Sequence, residues 1–210
     1  MAARYDVTKA AHSIRLFRET FAMLTRQPFW FLRHGQTDWN RTGRCQGRKD
    51  VPLSMQGEAE AHAAVRHLKG LGIDGICSSP LKRARHTADI IAGALELPVL
   101  DVPGLEEMDV GPYEGKADYS WIAAWRQDQP IAGIEPFPDV RKRVAAAANQ
   151  ALGTASRVLI VAHGGVFWAL QHLCQSPFTP LANCRPAHLA PVGDSAWTIE
   201  MLTPPEAGEA

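Results

Sequence analysis

The strongest constraint on the fold is an alternation. After residue 28, short apolar runs take turns with longer stretches of helical period. Phe29-Trp30-Phe31-Leu32, Gly75-Ile76-Cys77 and Val99-Leu100-Asp101-Val102 read as buried strands, as do residues 157–162, the most apolar run. Between them, 54–71, 81–97, 139–151 and 166–173 read as helices, and 195–202 reads as a late strand. Ala59, Ala63 and Leu68 offer packing on the first helix; Ala84, Ala88, Ile91 and Leu95 line one face of the second. Strands separated by helices give an α/β layered domain with a mostly parallel sheet, and such sheets bind ligands beyond the carboxyl ends of their strands. The stretch from about 118 to 137 is irregular and holds Trp121 and Trp125, which either meet a substrate or pack a surface segment onto the core.

Composition narrows the class. With 210 residues, 46% hydrophobic and 21% charged, the chain has material for one large core. Lys+Arg and Asp+Glu both number 22, so a globally basic surface for nucleic acid is not expected. No apolar run reaches the roughly 18 residues of a membrane span. Cys45, Cys77, Cys174 and Cys184 form no CxxC pair and no metal-ligand pattern, which points to a reducing cytoplasm and no metal or other cofactor. Residues 1–27 predict an appended amphipathic helix with Val7, Ala10, Ile14, Phe17, Phe21 and Leu24 on one stripe and Pro28 as its stop. That stripe docks on its own domain or pairs two copies, so a monomer or a homodimer is expected. Its acidic residues Asp6 and Glu19 argue against an organellar transit peptide. The remaining chain divides into one main domain over 28–203 and a frayed tail over 204–210.

Two strands end in a histidine followed by glycine: Leu32 leads to Arg33-His34-Gly35, and Ala162 leads to His163-Gly164-Gly165. A third, ending at Cys77, opens into Ser78-Ser79-Pro80-Leu81-Lys82-Arg83. In a parallel sheet these loops share one edge. Arginines offer forked donors to phosphate oxygens. Histidines serve as nucleophile, acid or base near neutral pH. Glycines let backbone approach a ligand closely. Two arginines, two histidines and a nearby carboxyl suffice for phosphoryl transfer through a phosphohistidine without a metal.

These residues resemble the histidine phosphatase superfamily, the phosphoglycerate mutase-like proteins. The likeness runs in order through Leu32-Arg33-His34-Gly35-Gln36-Thr37 with Trp39-Asn40, then Gln46-Gly47, Asp50, Pro52-Leu53 and Gly57. It continues with Ser78-Ser79-Pro80-Leu81, Arg83-Ala84 and Thr87-Ala88, then Leu105-Glu106-Glu107, Gly111 and Tyr113-Glu114-Gly115, and closes with Val161-Ala162-His163-Gly164-Gly165. Five blocks in order cover about 29–202. The resemblance implies a three-layer α/β/α sandwich and a metal-independent phosphomonoesterase acting on small phosphorylated metabolites. It implies His34 as nucleophile, and Arg33, Arg83 and His163 as holders of the phosphate. Asn40, Gln46, Gly47 and Gly164 would contact substrate. Glu107, rather than Glu106, would protonate the leaving alkoxide and then activate water. That chemistry requires His34 to be neutral at its attacking nitrogen, with the other nitrogen donating to a backbone carbonyl, and it implies a bell-shaped pH profile.

Rival readings remain. A phosphoglycerate mutase would return the phosphoryl group to a second hydroxyl, although Arg44-Cys45-Gln46-Gly47-Arg48-Lys49-Asp50 is nearer the phosphatase branch. An inactive relative would bind phospholigands or a protein partner; it would usually have lost a core residue, and none is lost here. Cys77 and Arg83 match C-x₅-R, but Pro80 removes an N–H that an anion cradle needs. Zinc at His34 and His163 has no third ligand at a recognisable spacing. Where the family shows a Gly-Gly-Glu-Ser-like stretch, this chain has Gly133-Ile134-Glu135-Pro136-Phe137 and keeps the glutamate. Lys82, Arg85 and His86 make a basic helix start that by default is a solvated face.

Overall fold

A computed structural model describes residues 23–202. Its centre is a six-stranded sheet in the order β3-β2-β4-β1-β5-β6. The strands are β1 (Phe29–Arg33), β2 (Gly75–Ser78), β3 (Val99–Asp101), β4 (Val158–Ala162), β5 (Pro186–Val192) and β6 (Ala196–Met201). β1, β4, β2 and β3 run parallel to one another, while β5 is antiparallel to both β1 and β6. The helices are α1 (Asp38–Arg41), α2 (Met55–Leu68), α3 (Lys82–Leu95), α4 (Ile122–Trp125), α5 (Phe137–Leu152) and α6 (Gly164–Leu173).

The central strands are apolar throughout because both faces are covered. Phe29 and Phe31 of β1, with Val158, Ile160 and Ala162 of β4, join the core formed with α5 and α6. Leu32, Leu159 and Val161 face the other way, into the core formed with α2 and α3. Helices α2 and α3 pack together on one face and α5 and α6 on the other, which makes the three layers that the family resemblance implies.

Local chemistry explains most boundaries. Ser54 caps α2 by accepting from Gly57 N at 3.1 Å. α3 ends where Glu96 takes a left-handed conformation at φ 57°. α5 begins two residues earlier than its apolar pattern suggests, since Pro138 is tolerated in a first turn whose N–H groups lack helical partners. On α2 the buried stripe is Gly57, Ala61, Ala64, Val65 and Leu68, so the expected packing of Ala59 and Ala63 is corrected: both are exposed. Alanines occupy both faces of that helix, and the period alone does not choose between them.

Strand β5 has no counterpart in the sequence reading. Pro186 and Pro191 argue against a strand, but Pro186 sits at its first residue and Pro191 near its end, where a missing donor costs least. Of the helix expected over 1–27, residues 1–22 lie outside the described residues, as does the tail over 204–210. Residues 23–27 are described and are not helical. Their polar groups are spent on tertiary contacts: Thr25 N donates to Asn149 Oδ1 at 2.7 Å, and Arg26 donates to the carbonyls of Val192, Gly193 and Ala196.

Since β1, β2 and β4 are parallel neighbours, the loops carrying His34, Arg83 and His163 leave the sheet on one edge. The β1 loop lies flat on the start of α2 because a Cβ on Gly35 would strike the Gly57 carbonyl, and one on Gly57 would strike the backbone of Gln36.

Candidate active site

At that edge lies a cavity of about 120 Å³. Eight of the nine residues singled out from sequence line it: Arg33, His34, Asn40, Gln46, Gly47, Arg83, Glu107 and Gly164. The ninth, His163, is fully buried behind the cavity, its ring 5.2 Å from that of His34.

Backbone bonds fix the orientation of His34. Its Nδ1 lies 2.7 Å from Gly35 O, which can only accept, so the ring proton resides on Nδ1. The Nε2 lone pair is left to face the Arg83 Nε–H at 3.3 Å. Burial first, then the charges of Arg83 and Arg33, push the His34 pKa well below 6.5, and the imidazole is neutral at neutral pH. His163 is held neutral in the same way, by burial and then by Arg83. Its Nε2 lies 2.8 Å from Ser79 Oγ, while its Nδ1 makes no hydrogen bond.

The two arginines are donors in fixed positions, Arg83 fully buried and Arg33 partly so. Arg83 donates to Lys49 O and Gly47 O, both at 2.8 Å. Burial lowers its pKa to about 10, so the guanidinium stays charged at neutral pH. Arg33 donates through Nη1 to Leu181 O at 3.0 Å, and its buried Nε has no partner. Asn40 closes a capping box with Thr37, and this use of its Oδ1 leaves its NH₂ to offer the cavity. Gln46 adds a buried Oε1 without a partner.

Glu107 is the carboxyl of the site. Both its oxygens accept from Gly165 N at 3.1 Å, so it sits at the N-terminus of α6. A Cβ on Gly165 would strike Glu107 Oε1, which explains the second glycine after His163. Glu106 turns away, its Oε2 accepting from Gly104 N at 2.6 Å. Two guanidiniums face this one carboxyl across neutral imidazoles, a cup with a net pull on an anion.

The upper walls are apolar. Met108, Val110, Trp121, Ile122, Trp168 and Leu181 line them, with Tyr119 and Arg44 also on the cavity. The two tryptophans of the irregular segment therefore part company: Trp121 faces the cavity, whereas Trp125 is 1% exposed and donates to Glu135 O at 2.7 Å. Sequence reasoning missed Trp168, although it follows Gly164 by one helical turn and so shares its face. It also missed Tyr119 and Leu181, whose segments carry no period to place them. Cys77 is fully buried beside Thr154 Oγ1 at 3.5 Å, and burial raises its pKa, so the C-x₅-R match has no nucleophile to offer. Lys82, Arg85 and His86 lie along a charged surface with Asp50, Asp89, Asp101 and Glu58. Among the described residues no group of three or more His, Cys, Asp or Glu is arranged to hold a metal ion, and no helix is long and apolar enough to cross a membrane.

Known proteins resemble this chain in sequence and fold. The sequence profile of the histidine phosphatase superfamily (branch 1) matches residues 29–193. An uncharacterized phosphatase PhoE of Bacillus subtilis is 37% identical over 142 residues, 66% of this chain and 72% of that protein. A probable phosphoglycerate mutase GpmB of Proteus mirabilis is 36% identical over 147 residues, 64% of this chain and 68% of that one. Among solved structures, a mycobacterial glucosyl-3-phosphoglycerate phosphatase in complex with VO3 superposes with a TM-score of 0.74 at 27% identity, covering 84% of this chain and 99% of that one. The alpha-ribazole phosphatase of Shigella flexneri gives 0.70 at 26% identity, covering 84% and 96%. The sheet order, the paired histidine loops and these matches agree, and the chain belongs to the histidine phosphatase superfamily.

Proposed function

We propose that the chain is a phosphomonoesterase that works through a phosphohistidine on His34 and acts on small phosphorylated metabolites. The observation that carries this reading is the His34 tautomer: Gly35 O holds the Nδ1–H, so the lone pair that attacks is on Nε2, where only a long 3.3 Å contact from Arg83 Nε must give way, in a cup of fixed positive charge. The phosphate oxygens are held by Arg33 and Arg83, with the unpartnered Arg33 Nε and His163 Nδ1 as donors. In the first step His34 Nε2 forms a bond to phosphorus, the ester P–O bond breaks, and Glu107 gives its proton to the departing alkoxide oxygen. In the second, Glu107 takes a proton from water, the hydroxide oxygen bonds to phosphorus, and the N–P bond breaks to release inorganic phosphate. The fixed arginines stabilise charge as the phosphoryl group moves between nitrogen and oxygen.

Substrates of the structurally similar phosphatases, glucosyl-3-phosphoglycerate and alpha-ribazole phosphate esters, support a small phosphorylated metabolite. The mutase-type relative favours a second reading, in which the phosphoryl group returns to another hydroxyl of the substrate. Incubation with a ³²P-labelled monoester, quenched with detergent at alkaline pH, then mild alkaline and acid treatment of separate portions of the protein, tests the shared intermediate. The label should be alkali-stable, acid-labile and absent from His34→Ala. Label that survives acid would overturn the phosphohistidine. Offering a phosphoglycerate then separates the readings: free phosphate supports the phosphatase, and isomer interconversion supports the mutase.

A further inference from the structure

We infer that Arg143 and Glu135, neither of which lines the cavity, form a clamp that positions Glu107 for proton transfer. The inference rests on the proposed role of Glu107 and extends it to two residues outside the site. Arg143 projects from α5 beneath the loop that carries the acid. Its Nη1 donates to Gly104 O at 2.8 Å and to Glu106 O at 2.7 Å, fixing the carbonyl just before Glu107 and the one two residues before that. Its Nε and Nη2 form a fork onto Glu135, at 2.6 Å to Oε1 and 2.9 Å to Oε2. Glu135 reaches the other side of the acid: its Oε2 accepts from Asp109 N at 3.0 Å, and its own N donates to Asp109 O at 2.9 Å. Glu107 and Met108 are thereby bracketed on both sides by one ion pair.

The pair is well sheltered, with the Arg143 and Glu135 side chains 19% and 15% exposed. Burial works to raise the Glu135 carboxyl, but the hydrogen bonds and charge of Arg143 outweigh it and hold the group below the usual carboxylate range. The acid loop also lies against α5 itself, since a Cβ on Gly104 would come within 3.0 Å of Ala147 Cβ. A lysine at 143 would keep the charge but could not serve two carbonyls and two carboxylate oxygens at once. Glu107 reaches the cavity with only Gly165 N and Met108 N bound to its carboxyl, so its placement depends on the backbone that carries it.

Proton donation matters most when the leaving group is a poor one, and this distinguishes positioning from general support. The test measures kcat/KM for 4-nitrophenyl phosphate and phenyl phosphate, esters of similar shape with good and poor leaving groups, in wild type, Glu107→Gln, Glu135→Gln and Arg143→Lys. kcat/KM reports the step in which the ester bond breaks, before phosphoenzyme hydrolysis. Glu107→Gln should lose about 100-fold or more on the phenyl ester and far less on the nitrophenyl ester. Glu135→Gln and Arg143→Lys should show the same asymmetry at a smaller size, roughly tenfold against under threefold. Inhibition by inorganic phosphate should be unchanged, because the arginine cup is intact. Equal losses on the two esters, or loss of phosphate inhibition along with activity, would mean a merely structural pair and would overturn the clamp. Equal losses for Glu107→Gln, or no turnover by wild type, would instead overturn the reading on which the clamp rests.

Discussion

At the scale of single residues, the site is a problem of proton placement. His34 and His163 sit against two fixed guanidiniums, and burial with those charges keeps both rings neutral. His34, the proposed nucleophile, therefore stays unprotonated in mildly acid solution. The pH profile of kcat/KM should show no acid limb near 6.5, the ordinary imidazole value, and a limb there would contradict the environment described for His34. Between the two adjacent carboxyls the geometry chooses Glu107, which reaches the cavity while Glu106 folds onto Gly104 N. Glu107→Gln should lower kcat by about 10²- to 10⁴-fold, and Glu106→Gln should stay within a few-fold of wild type. Steady-state kinetics on both variants checks this, and greater damage from Glu106→Gln would reverse the assignment. His34, Arg33 and His163 were legible in the sequence because each lies at or just past the carboxyl end of a recognisable strand, and Arg83 because it opens the helix after one. Trp168 and Tyr119 were not, since an aromatic residue in a helix or an irregular segment has the same local signature in a core as in a wall.

At the scale of elements, α6 does most to assemble the site. Its first turn supplies Gly165 N to Glu107, its second supplies the Trp168 wall, and its buried face completes the core under β1. The strands and long helices were legible because apolar period and capping agree along them. β5 was hidden by its prolines, and the buried face of α2 by alanines on both sides. α4 splits the roles of its neighbouring tryptophans. Trp125 packs on Phe137 with ring centroids 4.4 Å apart, so Trp125→Ala should cost ~3–5 kcal/mol in denaturant unfolding. Trp121 lines the cavity but is itself only 5% exposed and packs edge-on against Trp125, so Trp121→Ala should raise KM as well as lower stability, whereas Trp125→Ala should act on stability alone. A large KM change from Trp125→Ala with undiminished stability would reverse these two roles.

At the scale of the whole molecule, the same buried histidines link folding to pH. Their folded pKa values are lowered, so below 6.5 the unfolded chain binds protons that the folded chain does not. Stability is therefore highest above that value and falls as the pH drops through it, by up to ~1.4 kcal/mol per pH unit for each histidine. Urea unfolding between pH 6.5 and about 5, above the range where carboxylates titrate, should show this slope, and His34→Gln should flatten it by one histidine's share. An unchanged slope in that variant would mean that His34 is not buried neutral.

The account rests most heavily on His34 as the nucleophile of a hydrolase. The direct test is phosphate release from 4-nitrophenyl phosphate in the presence of EDTA, comparing wild type with His34→Ala. The account predicts release by wild type that EDTA does not diminish and that vanishes in the variant. Release that persists in His34→Ala at the wild-type rate would contradict it.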